Sequence, residues 1–174
     1  MDLSYGTLTD SPLGPLSFVA GDHGLQRIVF FPLDSLKPAN TILVSLPSVE
    51  GFLTINTVLV EINEFLNGQR KEFSIAIDWD HLGQFQRQVL TMTMAIPYGQ
   101  VMTYGAMAEK LGNPGAARAV GRALGANPMP IVIPCHRVIA SNFELQGYAG
   151  GLDRKAFLLQ LEGHRIEDGR LRFE

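Results

Sequence analysis

The chain of 174 residues has one cysteine, one tryptophan and no long apolar run. A single cysteine cannot close an internal disulfide, so the core alone must hold the fold, and a free thiol belongs in reducing surroundings. The apolar stretches stop short of the roughly 20 residues that span a bilayer, which excludes a crossing helix. Met1-Asp2-Leu3-Ser4 has no basic segment leading into an apolar one, so no secretory leader is expected. A cytoplasmic location with no membrane partner is the expectation. Charged residues are only 18% of the chain against 46% apolar, an ordinary globular balance that excludes disorder.

The net charge of −3 argues at first against nucleic acid, but the charge is unevenly spread. Residues 1–80 hold 4 Lys+Arg against 10 Asp+Glu (net −6), and residues 81–174 hold 10 against 7 (net +3). The basic excess therefore lies in the half that contains the cysteine. It permits DNA binding without requiring it.

Two regions of different character meet near Trp79–Gly83, giving expected domains at 1–80 and 81–174. In the first, residues 15–20 and 25–30 flank the turn-rich Gly21-Asp22-His23-Gly24, a hairpin pattern. Residues 32–51 read as mixed loop. Val58, Leu59, Ile62, Phe65 and Leu66 fall at helical spacing before Gly68. Phe73, Ile75, Ile77 and Trp79 alternate as a further strand. This half is expected to be a small sheet with a helix.

The second half is expected to be mostly helical, so the whole is α+β. Phe85, Val89, Met92 and Ile96 form an amphipathic stripe that Pro97 ends. A short helix should follow Thr103, a good N-cap, as far as Leu111. Asn113-Pro114 looks like a cap and first-turn proline for another helix through Leu124. Two short helices so joined make a helix-turn-helix pattern. In the second of them, Ala117, Ala119 and Gly121 surround the single long cation Arg118. Such a surface suits tight helix packing or close approach to a groove.

Ile131-Val132-Ile133-Pro134-Cys135-His136-Arg137-Val138-Ile139 places a thiol and an imidazole side by side in an apolar run. Thiolate is the nucleophilic form, and the Arg137 charge nearby would favour it. On a straight strand, adjacent side chains point to opposite faces, so His136 could serve Cys135 only where the backbone bends, or through a water.

Pro134-Cys135-His136-Arg137 resembles the active-site signature of the O6-alkylguanine-DNA alkyltransferases. The likeness extends through residues 97–104 (PYGQVMTY), Asn113-Pro114, residues 117–121 (ARAVG), Asn127-Pro128, residues 147–151 (GYAGG), Leu158-Leu159 and Glu162-Gly163. It covers Phe85–Gly163 in order and spacing, and only Ser11–Leu16 in the first half. Resemblance implies suicidal repair: the alkyl group of O6-alkylguanine in double-stranded DNA moves irreversibly to Cys135, and alkylated thymine is a further candidate substrate. It implies Arg118 filling the space of an extruded base, Tyr104 turning the nucleotide, and Ala117, Ala119 and Gly121 against the minor groove. Val138, Tyr148 and Ala149 would line the pocket. Asn127 would brace the turn before the cysteine, and Glu162 would orient His136 to take the thiol proton through a water. The chain would act as a monomer, with no cofactor. With His23, His81 and His164 scattered and no second cysteine, no metal site of the family's type is expected.

Other readings fit less of the chain. A damage sensor of the same family would carry another residue at position 135. A cysteine hydrolase would explain none of the flanking motifs. A phosphotriester-sensing regulator would need a multi-cysteine zinc module. The segment Ser141–Gln146 departs from the family pattern, and position 149 is alanine where some relatives have serine.

Overall fold

The first apolar stretch, Leu16–Gly21, becomes the middle strand of a sheet and is buried along its whole length. A computed structural model describes residues 3–31 and 48–173 and divides the chain into two units, Met1–His81 and Leu82–Glu174. In the first unit β1 (Ser4–Leu8), β2 (Leu16–Gly21) and β3 (Gly24–Val29) form an antiparallel sheet in that order. A bulge interrupts the β2–β3 register at Val19/Ala20. The β2–β3 hairpin is as expected from the sequence; β1, pairing Ser4 with Ala20 and Leu8 with Leu16, is an addition.

Helix α1 (Val49–Leu66) begins nine residues earlier than its apolar periodicity suggests, because Ser48 caps it by accepting from the Gly51 amide at 3.1 Å. The expected loop at 32–51 otherwise lies outside the described residues. Ile55, Val58, Ile62 and Phe65 form the buried face, three to four residues apart. Against β1 the helix comes so close that a Cβ on Gly6 would stand 2.6 Å from Ile55 Cγ2. The expected strand at Phe73–Trp79 shrinks to one parallel bridge, Leu25 with Ile77. Leu25 spends both its backbone groups there, donating to Ala76 O at 2.8 Å and accepting from Asp78 N at 3.0 Å. Gly24, at φ +127°, has no room for a Cβ, which would lie 2.4 Å from Ala76 O.

In the second unit, α2 (Gln84–Met94) buries Val89, Leu90 and Thr93. Its inward face is rotated from the expected stripe, and Phe85 is 41% exposed. Thr93 is tolerated inside because its hydroxyl donates to Val89 O at 2.8 Å. Thr103 caps α3 (Tyr104–Lys110) as expected, accepting from Ala106 N. Asn113 does not cap with its side chain. A 3₁₀ turn at Pro114–Ala116 leads instead into α4 (Ala117–Gly125). Strand β4 (Met102–Thr103) lies parallel to β5 (Val138–Ile139), pairing Met102 with Val138 and Thr103 with Ile139. Helix α5 (Leu152–Leu161) follows. A closing hairpin, β6 (Arg165–Glu167) with β7 (Arg170–Arg172), was not evident from the sequence. Its turn, Asp168-Gly169, has positive φ at both residues, the geometry that matches strand twist. Among the described residues no helix is long and apolar enough to cross a membrane.

Candidate active site

Between α4 and β5 the chain bends repeatedly, and the bends decide what Cys135 touches. Pro128, Pro130 and Pro134 cannot donate backbone hydrogen bonds, so regular structure gives way to tight turns. Ile131 is held at φ +77°, a rare state for a β-branched residue and a locally strained one. Ile133 N donates to Met129 O, and Cys135 N to Ile133 O at 2.8 Å. Cys135–Arg137 then form a single 3₁₀ turn rather than a strand. That turn removes the opposite-face objection to pairing Cys135 with His136.

Asn127 organises this segment from within. Its Oδ1 accepts from Met129 N at 3.0 Å, and its Nδ2 donates to Ile133 O at 2.9 Å and to Cys135 Sγ at 3.1 Å. Cys135 is 5% exposed. Burial raises the thiol above its usual pKa, and the Asn127 amide and the Lys155 charge pull it only part of the way back. At rest the residue is a neutral thiol. The expectation that Arg137 would hold it as thiolate is corrected, because that guanidinium points elsewhere.

Arg137 is committed to Glu162. Its Nε lies 3.0 Å from both carboxylate oxygens, its Nη2 2.8 Å from Oε1, and its Nη1 2.6 Å from Ile96 O. His136 Nε2 is 2.9 Å from Glu162 Oε1, and Gly99 N donates to Oε2 at 3.1 Å. Glu162 ends α5, where the helix dipole disfavours a carboxylate, so these donors are what keep it charged there. Burial alone would raise its pKa, but the bonds and charges of His136 and Arg137 hold it at about 2. Taken alone, Glu162 reads as a solvated helix-end residue; its side chain is in fact fully buried. A carboxylate only accepts, so His136 carries its proton on Nε2 and Nδ1 is the basic nitrogen. Nδ1 is buried with no hydrogen-bond partner among the described residues. Burial pushes the His136 pKa below its usual value, which Glu162 only partly offsets, so the ring is neutral.

Lys155 completes the setting and was not foreseen. Wholly buried, it donates from Nζ to Val138 O at 2.7 Å and Gln146 O at 2.8 Å, and burial lowers its pKa to about 8. A signal was available: Lys155, Leu158, Leu159 and Glu162 recur at the i, i+3, i+4, i+7 spacing of the inward face of α5. Gly99, at φ +74°, turns the chain so that its amide reaches Glu162.

Tyr104 opens α3 beside this region, its hydroxyl 3.3 Å from Gln146 O and its ring 6.0 Å from Lys155 Nζ. Burial raises its pKa, as it does more strongly for Tyr148, so both phenols stay protonated. Val138 is buried and its carbonyl already accepts from Lys155, while Ala149 is exposed. On α4, Val120, Ala123 and Leu124 face inward, and Arg118 is exposed. Ala117, Ala119 and Gly121 are half-buried, so the small residues do not form the packed face. Among the described residues, His23, Asp78 and Asp80 do converge, with ligand atoms within 4.8 Å of one another, and His81 lies 3.6 Å from Asp78. The histidines judged scattered in sequence are thus partly gathered in space. Asp78 is already engaged by Gln26 and the Asp80 amide.

Residues 84–164 match the family model described as 6-O-methylguanine DNA methyltransferase, DNA binding domain. The methylated-DNA–protein-cysteine methyltransferase of Methanosarcina acetivorans is 38% identical over 91% of this chain and 98% of its own length. That of Mycobacterium leprae is 40% identical over 90% and 91%. A crystal structure of Mycobacterium tuberculosis OGT in complex with DNA superposes with a TM-score of 0.75 at 37% identity, covering 91% of this chain and 92% of that one.

Proposed function

This chain belongs to the methylated-DNA–protein-cysteine methyltransferase family, and from that membership we propose that it repairs double-stranded DNA by moving the alkyl group of O6-alkylguanine onto Cys135. The observation that carries this reading is the buried Cys135 thiol, hydrogen-bonded by Asn127 beside the His136–Glu162–Arg137 cluster. A neutral thiol in an apolar site reacts once its proton is removed. A neutral imidazole with a free Nδ1, its other nitrogen held by a carboxylate, suits that task, through a bridging water. The sulfur then forms a bond to the alkyl carbon as the carbon–oxygen bond breaks. The guanine leaves with its electron pair and takes up a proton. A thioether on saturated carbon has no leaving path here, so each molecule acts once, without cofactor or metal.

The base must leave the duplex to reach a nucleophile so buried. We assign α3 and α4 as the helix-turn-helix that docks in the minor groove, with Ala117, Ala119 and Gly121 allowing close approach. Tyr104 turns the nucleotide and Arg118 occupies the gap. The second carbonyl lone pairs of Cys135 and Val138 would read the guanine amino group, and Tyr148 and Ala149 would complete the pocket. The protein acts as a monomer in the cytoplasm, and alkylated thymine remains the secondary substrate to try.

Intact-mass measurement with excess O6-methylguanine duplex tests the reading. One methyl group should appear, on Cys135, and no more. Release of free methanol, or repaired guanine beyond one equivalent, would overturn it. Arg118 supplies a second check. Exposed, and without an ion pair among the described residues, it should matter to extrusion and not to folding. Arg118→Ala should slow transfer from duplex about a hundredfold, matching the few kcal/mol that turning a base out of the stack costs, and leave reaction with free O6-benzylguanine within twofold. Equal slowing with both substrates would place Arg118 in the pocket.

A further inference from the structure

Beyond Gly163 the chain adds a hairpin that runs past the matched family region, and it grips residues 143–145. Leu145 N donates to Gly169 O at 2.8 Å, and Leu171 N donates to Phe143 O at 2.9 Å. The segment 143–145 is thereby fastened alongside β7 by a single antiparallel bridge between Glu144 and Arg170. Side chains repeat the attachment. Arg170 pairs with Glu144, and the Phe143 and Phe173 rings meet edge to face at 4.9 Å. Beneath them Leu145 and Leu171 share a core with Ile139 and Leu159. Phe143 holds φ +63°, a conformation that needs outside support.

What this segment carries is the reason to care how it is held. Gln146 follows directly, and its carbonyl accepts from both Lys155 Nζ and Tyr104 OH. Tyr148 and Ala149 come next. Apart from Leu145, residues 141–147 are exposed or half-exposed, so burial does little to fix them. We propose that the β6–β7 hairpin, through Arg170 and Phe173, is a positioning element that sets the wall of the guanine pocket formed by residues 146–149. This rests on the functional reading above. The hairpin touches no reacting atom; it acts through the loop. A free alkylated base is held by the pocket alone, whereas a base in duplex is also held by its strand. Loosening the wall should therefore weaken the first far more than the second.

The test compares Arg170→Glu, Phe173→Ala and the charge swap Glu144→Arg/Arg170→Glu with wild type. Reaction with free O6-benzylguanine gives a saturating rate and a half-saturating concentration, and hydrogen exchange at the Leu145 amide reports loop release. Each single variant should exchange faster at Leu145 and need about fivefold more free base for half-saturation, the scale expected from an exposed charge pair or ring contact. The saturating rate and transfer from O6-methylguanine duplex should stay within twofold, and the swap should restore wild-type values. Unchanged exchange, or faster exchange with unchanged half-saturation, overturns the positioning role. A swap that restores nothing does the same. A wild-type chain that alkylates Cys135 with neither substrate would overturn the functional reading and the positioning role with it.

Discussion

Glu162→Gln should slow alkyl transfer by one to three orders of magnitude and make the protein markedly less stable. One carboxylate here accepts from His136, Arg137 and Gly99, all in a fully buried position. Glutamine keeps one acceptor oxygen and turns the other into a donor that faces donors. Breaking a buried ion pair by removing one partner costs about 3–5 kcal/mol, since Arg137 stays buried without its counter-charge. The kinetic loss is set somewhat below the roughly 10²–10⁴-fold that general-base assistance supplies, because the imidazole stays and loses only its anchor and the charge that would stabilise its protonated form. Single-turnover transfer together with a urea midpoint separates the two effects. An unchanged rate in a destabilised protein would make the cluster purely structural.

The same group fixes an acid limit. Glu162 titrates at about 2 when folded, below its unfolded value, so its contribution is present above the unfolded pKa and is lost as pH falls toward 2. His136 is also lowered by burial, so the folded state resists its protonation and stability falls as pH drops through and below the unfolded value of about 6.5. Glu162→Gln removes the more acidic of these two phases and, by taking away the charge that partly offsets burial at His136, should deepen the His136 phase.

Asn127→Ala should cost about 2–4 kcal/mol, because Ile133 O and Met129 N both lose a buried partner. It should also silence the thiol. Burial already raises the Cys135 pKa, and the Asn127 amide is the larger of the influences that lower it. Without that amide the thiol climbs further, so transfer slows and its rise with pH moves to more alkaline values. Titration of the thiol by its ultraviolet absorbance checks this directly. A thiol that titrates as in wild type, in a destabilised protein, would leave Asn127 as a brace alone.

Those two residues also show what the sequence made legible. The β2–β3 hairpin, the second half of α1, and α3 with its end near Leu111 follow from local rules of alternation, helical spacing and capping. The motif residues Asn127, Cys135, His136 and Glu162 could be named, but not why they act together. Asn-Pro is equally good as an ordinary turn, and Glu162 alone reads as solvated. Glu162 is held by contacts 25 to 63 residues distant in sequence, such as Arg137 and Gly99, and Asn127 by a fold-back of the chain within eight residues that three prolines make hard to foresee. The strand expected at 73–79 failed for a related reason: alternation describes a surface that can pair, and here only Leu25 does so. Lys155 was hidden by an assumption about chemistry. A lysine on an apolar stripe is normally read as an edge residue whose head reaches water, yet two backbone carbonyls hold this one inside.

The two-residue ladder of β4 and β5 has a mechanical meaning. Tyr104 follows the end of one strand directly, and Cys135 stands three residues before the start of the other. The side chain assigned to turning the nucleotide and the sulfur assigned to attack it therefore hang from opposite sides of one short rivet. A displacement of α3 is passed across two paired residues to β5, which continues directly from the turn that carries Cys135. The start of α3 and the turn that carries Cys135 are thereby tied to one ladder and cannot shift independently of it.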